Sequence, residues 1–142
     1  MRDLVWSIDS RRDSMGALID RMEEQAADLF HPLDIGFRLE AGEFVSRKKL
    51  SVLVRQQLFL IFSEAITNVV RHSNASHVHI KIGNFENVFE LSIHDNGTKK
   101  SKLTHNTGLG KSNMKMRAEK LGANLSITQK DGYCIRLIMK RI

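Results

Sequence analysis

The sequence has little of what stabilises secreted chains or carries a chain across a membrane. Its one cysteine, Cys134, cannot form an internal disulfide, and its one proline is Pro32. The chain has no run of about 18 apolar residues, and its N-terminus lacks the apolar core of a signal peptide. These absences favour the cytoplasm. Because Cys134 lies in an alternating apolar segment, we expect a buried core thiol there.

Aromatic residues are also scarce, at 6% of the chain, and none lies in its most basic segment. The formal net charge is +6, and the whole excess lies between Thr98 and Lys120, with seven basic residues and one acid. The rest of the chain carries fifteen residues of each sign. A surface for single-stranded nucleic acid normally interleaves basic residues with aromatic side chains that stack on bases. The segment therefore favours a compact polyanion, such as a nucleoside triphosphate.

The hydrophobic pattern predicts one α/β domain. A chain of 142 residues with 42% hydrophobic residues has room for a single core. Two antiparallel hairpins and helices between strand groups indicate a two-layer sandwich, a mixed but mainly antiparallel sheet with helices on one face. The predicted elements are helices at 14–30 with Ser14 as N-cap, at 49–72 and at 111–121 before Gly122, and strands at 33–41, 77–83, 88–95, 123–129 and 133–140.

A polar helix face stands out in the stretch SEAITNVVRH, residues 63–72. Glu64, Asn68, Arg71 and His72 fall within an arc of roughly 100° when successive residues turn by 100°. The opposite arc carries the apolar residues Leu58, Ile61, Phe62, Ile66 and Val69. An ordinary solvated face remains the alternative to a functional one.

A predicted loop at 96–110 is long for so small a domain, and loops of that length are usually lids or binding loops. It follows Asp95 in the turn sequence DNG and ends in TGLGKSN, residues 107–113. GLGKS resembles the end of a phosphate-binding P-loop, but His105 stands where that motif needs a glycine, and no strand precedes it. Gly108 and Gly110 still allow close approach of a phosphate to the backbone at a helix start.

Together these three motifs resemble the N, G1 and G2 boxes of the Bergerat-fold ATPases, the GHKL superfamily. The order is E-x-x-x-N-x-x-R-H on a helix, D-N-G at a strand end and G-x-G before a helix. Within the superfamily the chain is most similar to sensor histidine kinases of two-component systems, in the branch of the nitrate- and thermo-sensing kinases. The resemblance covers about residues 30–142.

The resemblance implies an ATP and Mg²⁺ site and assigns a role to each motif residue. Asn68 would bind Mg²⁺, and Glu64 would order the metal's hydration shell or act as a base. Arg71, His72 and Lys111 would lie toward the phosphates, where Gly108 and Gly110 let the lid wrap the triphosphate. Asp95 would accept a hydrogen bond from the adenine amino group, and Gly97 would keep that pocket open.

The resemblance also implies the rest of the system. RDLVWSIDS resembles the end of a dimerisation stem, so residues 1–13 would be stem or linker and residues 14–142 the catalytic domain. None of the six histidines has the setting of a phosphate-accepting histidine. We therefore expect a catalytic fragment, monomeric and unable to phosphorylate itself alone, from a homodimeric, membrane-anchored sensor with its kinase part in the cytoplasm. Its partners would be the histidine-bearing dimerisation domain and a response regulator.

Two alternatives stay open at this point. One is a stand-alone serine kinase of the anti-sigma-factor type. Such kinases belong to the same superfamily but have no dimerisation stem, so a stem-like N-terminal sequence argues against them. The other is a basic nucleic-acid-binding module that uses no ATP, for which Glu64 and Asn68 would be accidental. Our preferred hypothesis includes no nucleic-acid partner.

Overall fold

Three helices and five strands make up the part of the chain that the computed structural model describes. This part comprises residues 14–42, 49–85, 88–97, 104–129 and 132–140, without the side chains at 72, 84, 85 and 104–111. In chain order the elements are α1 (Met15–Phe30), a 3₁₀ turn (His31–Leu33), β1 (Gly36–Ala41), α2 (Val52–His72), β2 (His77–Phe85), β3 (Val88–Asp95), α3 (Thr104–Lys120), β4 (Asn124–Thr128) and β5 (Cys134–Lys140).

The five strands form one sheet in the order β1-β2-β3-β5-β4. The parallel pair β1–β2 is connected through α2, while β2–β3, β3–β5 and β4–β5 pair antiparallel. The mixed, mainly antiparallel sheet and the element order confirm the predicted α/β fold. The register places Val78 opposite Asp95 and Ile93 opposite Ile135, so alternate residues of neighbouring strands share one face.

Only one face of the sheet is apolar, and the helices cover it. Buried residues alternate along the central strands, as Ile80, Leu91 and Leu137 illustrate. The five apolar residues predicted to line one side of α2 are all buried: Leu58, Ile61, Phe62, Ile66 and Val69. None of the helices in the described ranges is long and apolar enough to cross a membrane.

Serine caps set the starts of two helices. The Ser14 hydroxyl accepts a hydrogen bond from the Ala17 amide at 3.1 Å, which confirms the predicted cap of α1. The Ser51 hydroxyl accepts from the Val54 amide at 3.2 Å, so α2 begins at Val52 and not at residue 49. Strand β1 begins at Gly36 rather than at residue 33, because the chain first makes the 3₁₀ turn that contains Pro32.

The third helix is longer than predicted. Helix α3 begins at Thr104, so the interpretation of 104–110 as loop is wrong, and Gly108 and Gly110 lie inside the helix instead of before it. The two glycines concealed the helix, because each lowers helix propensity by about 1 kcal/mol relative to alanine. At the other end the prediction is confirmed, since α3 ends at Lys120 and Gly122 takes a φ of +66°.

Cys134 is not the core thiol that the sequence pattern indicated. It is half-buried and lies opposite His94 in the β3–β5 register, on the face of the sheet away from the helices. Burial raises the pKa of this thiol above its usual value. The prediction failed because the alternation in β5 was read one residue out of phase, and Ile135 is the first core residue of that strand.

Candidate functional site

The polar face of α2 is not uniformly exposed to solvent. Asn68 is 3% exposed, Glu64 is half-buried and Arg71 is exposed. The side chain of His72 lies outside the described part of the structure. A buried carboxamide beside a half-buried carboxylate is unlike an ordinary solvated helix face, where charged side chains remain largely exposed. The candidate site on this helix therefore centres on Asn68.

Asp95 lies at the end of β3 and is 2% exposed. Its Oδ1 accepts hydrogen bonds from the backbone amides of Gly97, at 2.8 Å, and Tyr133, at 3.2 Å. Its Oδ2 is buried and has no hydrogen-bond partner. One carboxylate oxygen thus fixes the side chain, and the other remains available to a ligand that donates a hydrogen bond.

Asn96 joins the connection after α2 to the end of β3. Its Oδ1 accepts hydrogen bonds from the amides of Ser76, at 2.9 Å, and His77, at 3.0 Å. Its Nδ2 donates to the Ser76 hydroxyl at 3.1 Å. The same residue donates its backbone N–H to the His77 carbonyl at 3.2 Å. These bonds hold the connection that follows α2 against the end of the strand that carries Asp95.

Gly97 lies where the two chain segments come closest. A Cβ at this position would collide with the Ser73 hydroxyl and would lie 3.1 Å from the amide oxygen of Asn74. A side chain here would have to displace the Ser73 hydroxyl, so glycine allows the α2 connection to approach the DNG turn this closely. This is a structural reason for Gly97 in addition to the pocket-opening role that the resemblance implies.

Tyr133 is a residue of this site that the sequence reasoning missed. Burial and the nearby carboxylate of Asp95 raise the pKa of its phenol to about 12; the amide of Asn68 lowers it, and the carboxylate of Glu64 adds to the increase. The phenol therefore lies among the three acidic and amide side chains that the motifs predicted as a site. Only the strand register, which places residue 133 beside Asp95, could have indicated this.

Three polar atoms at this place are buried without a hydrogen-bond partner. They are the Nδ2 of Asn68, the Oδ2 of Asp95 and the Oη of Tyr133. The amide and the phenol are close enough to interact electrostatically, but their contact does not meet hydrogen-bond geometry. Buried polar atoms are almost always paired in folded proteins. The unpaired Oδ2 of Asp95, beside an amide and a phenol that meet each other only imperfectly, therefore indicates a ligand site.

The predicted phosphate end of the site is carried by α3. Gly108, Gly110 and Lys111 all lie in its first half, and their side-chain environment is outside the described part of the structure. The second half is joined to α2 by a hydrogen bond from Arg117 to the buried Gln57, at 3.2 Å, and by the buried side chain of Met114. The helix that carries the two glycines is thus anchored beside the helix that carries Asn68.

The described residues include no group of three or more His, Cys, Asp or Glu side chains that could hold a metal ion. Asn68 and Glu64, one turn apart on α2, still offer oxygen atoms of the kind that Mg²⁺ prefers. Since Mg²⁺ usually keeps several waters and takes oxygens from a bound phosphate, this sparse donor set fits a cation that arrives with a nucleotide. It does not fit a permanent structural metal.

Comparisons with known proteins agree with this geometry. Residues 54–141 match the family model described as histidine kinase-, DNA gyrase B-, and HSP90-like ATPase. A sensor histidine kinase of Bacillus subtilis, YxjM, is 38% identical over 86 residues, which are 59% of this chain and 21% of that protein. The sensor protein VraS of Staphylococcus aureus is 38% identical over 77 residues, 52% of this chain and 22% of that protein. The matches cover about a fifth of these curated relatives' length.

Solved structures share the fold at low sequence identity. The histidine kinase domain of a blue-light activated kinase from Erythrobacter litoralis aligns with a TM-score of 0.71 at 16% identity, covering 89% of this chain and 61% of that one. The catalytic domain of histidine kinase ThkA aligns with a TM-score of 0.72 at 12% identity, covering 90% and 94%. The chain belongs to the family of histidine kinase-, DNA gyrase B- and HSP90-like ATPases, and it is an ATP-binding domain of the sensor histidine kinase type.

Proposed function

We propose that this chain is the catalytic domain of a sensor histidine kinase, which binds ATP with Mg²⁺ and donates the γ-phosphate to a histidine on a dimerisation domain outside this chain. The phosphate would then pass to a response regulator. The single observation that supports this most is the set of unpaired buried atoms on Asn68, Asp95 and Tyr133. Asn68 and Asp95 are the residues to which the resemblance assigns the metal and the adenine base, and Tyr133 lies beside both of them.

The base end of the site suits adenine. Adenine's exocyclic amine donates hydrogen bonds, and the free Oδ2 of Asp95 is a buried acceptor without a partner. Guanine presents a carbonyl oxygen at the same position, which would place two acceptors against each other. An unmet buried acceptor costs about 1–3 kcal/mol, enough to select ATP over GTP.

The metal end of the site would be held by α2. The amide oxygen of Asn68 would be a direct ligand of Mg²⁺, and Glu64 would order the hydration shell or act as a base. When bound, the metal neutralises phosphate charge, which is most of what phosphoryl transfer requires together with positioning.

Positive charge at the other end suits the triphosphate. The segment from Thr98 to Lys120 carries seven basic residues and one acid. Lys111, Gly108 and Gly110 belong to this segment, and Arg71 and His72 lie at the end of α2. We propose that these residues face the phosphates. Nucleic acid is not among the proposed partners.

The proposal extends to the whole protein. On the family resemblance, the full-length protein would be a homodimer anchored in a membrane, with this domain in the cytoplasm. Residues 1–13, proposed as the end of the stem, lie outside the described residues. The serine-kinase alternative would require a protein substrate in place of the dimerisation domain.

Calorimetric titration of the chain with ATP, GTP and a short DNA duplex, each with and without Mg²⁺, tests the binding function. We expect binding of ATP that strengthens with Mg²⁺, weak binding of GTP and none of the duplex. Equal affinity for ATP and GTP, or preference for the duplex, would contradict it. Phosphotransfer is tested separately by incubating the chain and radiolabelled ATP with the dimerisation helices of the full-length protein, where label should appear on histidine.

A further inference from the structure

Tyr133 lies beside both residues to which the proposed function assigns the nucleotide, Asp95 for the base and Asn68 for the metal. Its backbone is next to Asp95, and its buried phenol oxygen lies beside the Asn68 amide. A nucleotide with its base on Asp95 and its metal on Asn68 would make its two key contacts at the two ends of this side chain. We propose that Tyr133 fills part of the nucleotide pocket in the free protein and must turn away before a nucleotide binds. This inference rests on the proposed function.

The backbone of Tyr133 is held in place, so only the side chain can move. Tyr133 donates its N–H to Asp95 Oδ1 at 3.2 Å, and its carbonyl accepts from the Asp95 N–H at 3.0 Å. The preceding residue, Gly132, has a φ of +102°, and a Cβ there would collide with the Asp95 carbonyl. Rotation about the side-chain bonds of Tyr133 leaves these backbone contacts intact.

The side chain is also free to leave. Tyr133 as a whole is only half-buried, so part of its side chain already lies at the surface although the phenol oxygen is buried. The only polar contact its hydroxyl would give up is the imperfect one with the Asn68 amide. When the phenol leaves, the Asn68 amide and Asp95 Oδ2 become accessible to the nucleotide. Because the protein with the ring inside cannot bind, apparent affinity is reduced by the fraction of molecules in the open state.

The first experiment compares ADP–Mg²⁺ affinity in the parent with Tyr133→Ala and Tyr133→Phe. Tyr133→Ala removes the ring but keeps the backbone bonds to Asp95. It should bind ADP–Mg²⁺ about threefold tighter or better, because no ring occupies the pocket in the free protein. Tyr133→Phe keeps the ring and should stay within about twofold of the parent. Thr128→Ala, an exposed change beside Cys134 in the sheet, is the control and should bind as the parent does.

Weaker or unchanged binding by Tyr133→Ala would overturn the inference, because it would make the phenol a ligand contact or a bystander. The second experiment needs no variant, since Tyr133 is the only tyrosine of the chain. Ring-labelled tyrosine gives one set of NMR signals, which a soluble paramagnetic agent should broaden more strongly when ADP–Mg²⁺ is bound. A ring that stays equally protected with ligand would also overturn it.

The two proposals fail in different ways. If the parent binds ADP and loses affinity on Asp95→Asn while Tyr133→Ala weakens binding, only the role of Tyr133 is wrong. If neither the parent nor Tyr133→Ala binds ADP or ATP, the proposed function is wrong and the inference from it fails as well. Binding by Tyr133→Ala but not by the parent would support both.

Discussion

The polar residues on the two sides of the sheet differ in burial and in hydrogen bonding. On the outer face, charged side chains are exposed or half-buried and form ion pairs: Arg38 and His79 with Glu40, and Arg136 with Glu90. On the face toward the helices, Asn68 and Asp95 are almost completely buried and each has an unpaired polar atom. The charged residues are therefore concentrated on one face, and the unmet hydrogen-bonding capacity is on the other.

This difference shows that the charged residues of the sheet do not by themselves mark the candidate site. Exposed ion pairs gain little, because water and salt screen them. A buried polar atom without a partner is costly unless a ligand satisfies it. A site is therefore better located by what its residues lack than by how much charge they carry. The predictions below test that contrast between the faces, beginning with the largest expected effect.

Asp95→Asn should have the largest effect on binding. Asparagine retains an oxygen for the amides of Gly97 and Tyr133 but replaces the free oxygen with an NH₂ group, which would face the adenine amine. The cost of about 1–3 kcal/mol predicts a loss of ATP affinity of roughly tenfold or more, measurable by calorimetry. Glu90→Gln makes the same chemical change on the outer face of the same strand and should leave affinity unchanged.

An equal loss of ATP affinity in Asp95→Asn and Glu90→Gln would mean that the face of the sheet does not matter, and it would contradict the assignment of Asp95 to adenine. The parent's preference for ATP over GTP should also shrink in Asp95→Asn. A preserved preference would place base recognition elsewhere.

Asn68→Ala should have the next largest effect, and only when the metal is present. Because Mg²⁺ keeps water and phosphate ligands, loss of one protein oxygen should weaken ATP–Mg²⁺ binding about five- to tenfold. Binding without metal should change little. Thr67→Ala is the matched control, since its hydroxyl bonds to the Ser63 carbonyl at 2.7 Å, within α2 itself. Unchanged ATP–Mg²⁺ affinity in Asn68→Ala would contradict the metal assignment.

The sequence predicted the elements that carry Asn68 and Asp95 better than the start of α3, for physical reasons. Asn68 lies on a strongly periodic helix, and Asp95 ends an alternating strand, so local pattern sufficed to place both. Tyr133 could not be placed, because its position depends on the pairing of β5 with β3. Helix α3 was predicted too short, since Gly108 and Gly110 disfavour a helix locally and its start depends on the surrounding structure.

Gly108→Ala tests how the first half of α3 takes part in binding. Alanine should stabilise the helix by up to about 1 kcal/mol, seen as a shift in the urea midpoint. If the triphosphate requires this half to unwind, the same energy opposes binding and lowers ATP affinity up to about fivefold. Ser112→Ala, at an exposed position of the same helix, is the control without a glycine. Stabilisation with no loss of affinity would show that the helix stays formed in the complex.

Glu40→Gln, on the outer face, should have the smallest effect, and that effect should depend on pH. The hydrogen bond with His79 at 2.9 Å, helped by the charges of Arg38 and Lys81, holds the pKa of Glu40 below its ordinary value of 4.5. A carboxylate whose pKa is lower in the folded than in the unfolded protein stabilises the fold at pH values above its unfolded-state pKa. This contribution is lost as the pH falls through the folded-state pKa. Thermal melts of parent and variant should therefore differ slightly at pH 7 and converge as the pH falls below the lowered folded-state pKa of Glu40. ATP affinity should match that of the parent, because Glu40 faces away from the pocket. A fall in affinity comparable to that of Asp95→Asn would abolish the distinction between the two faces.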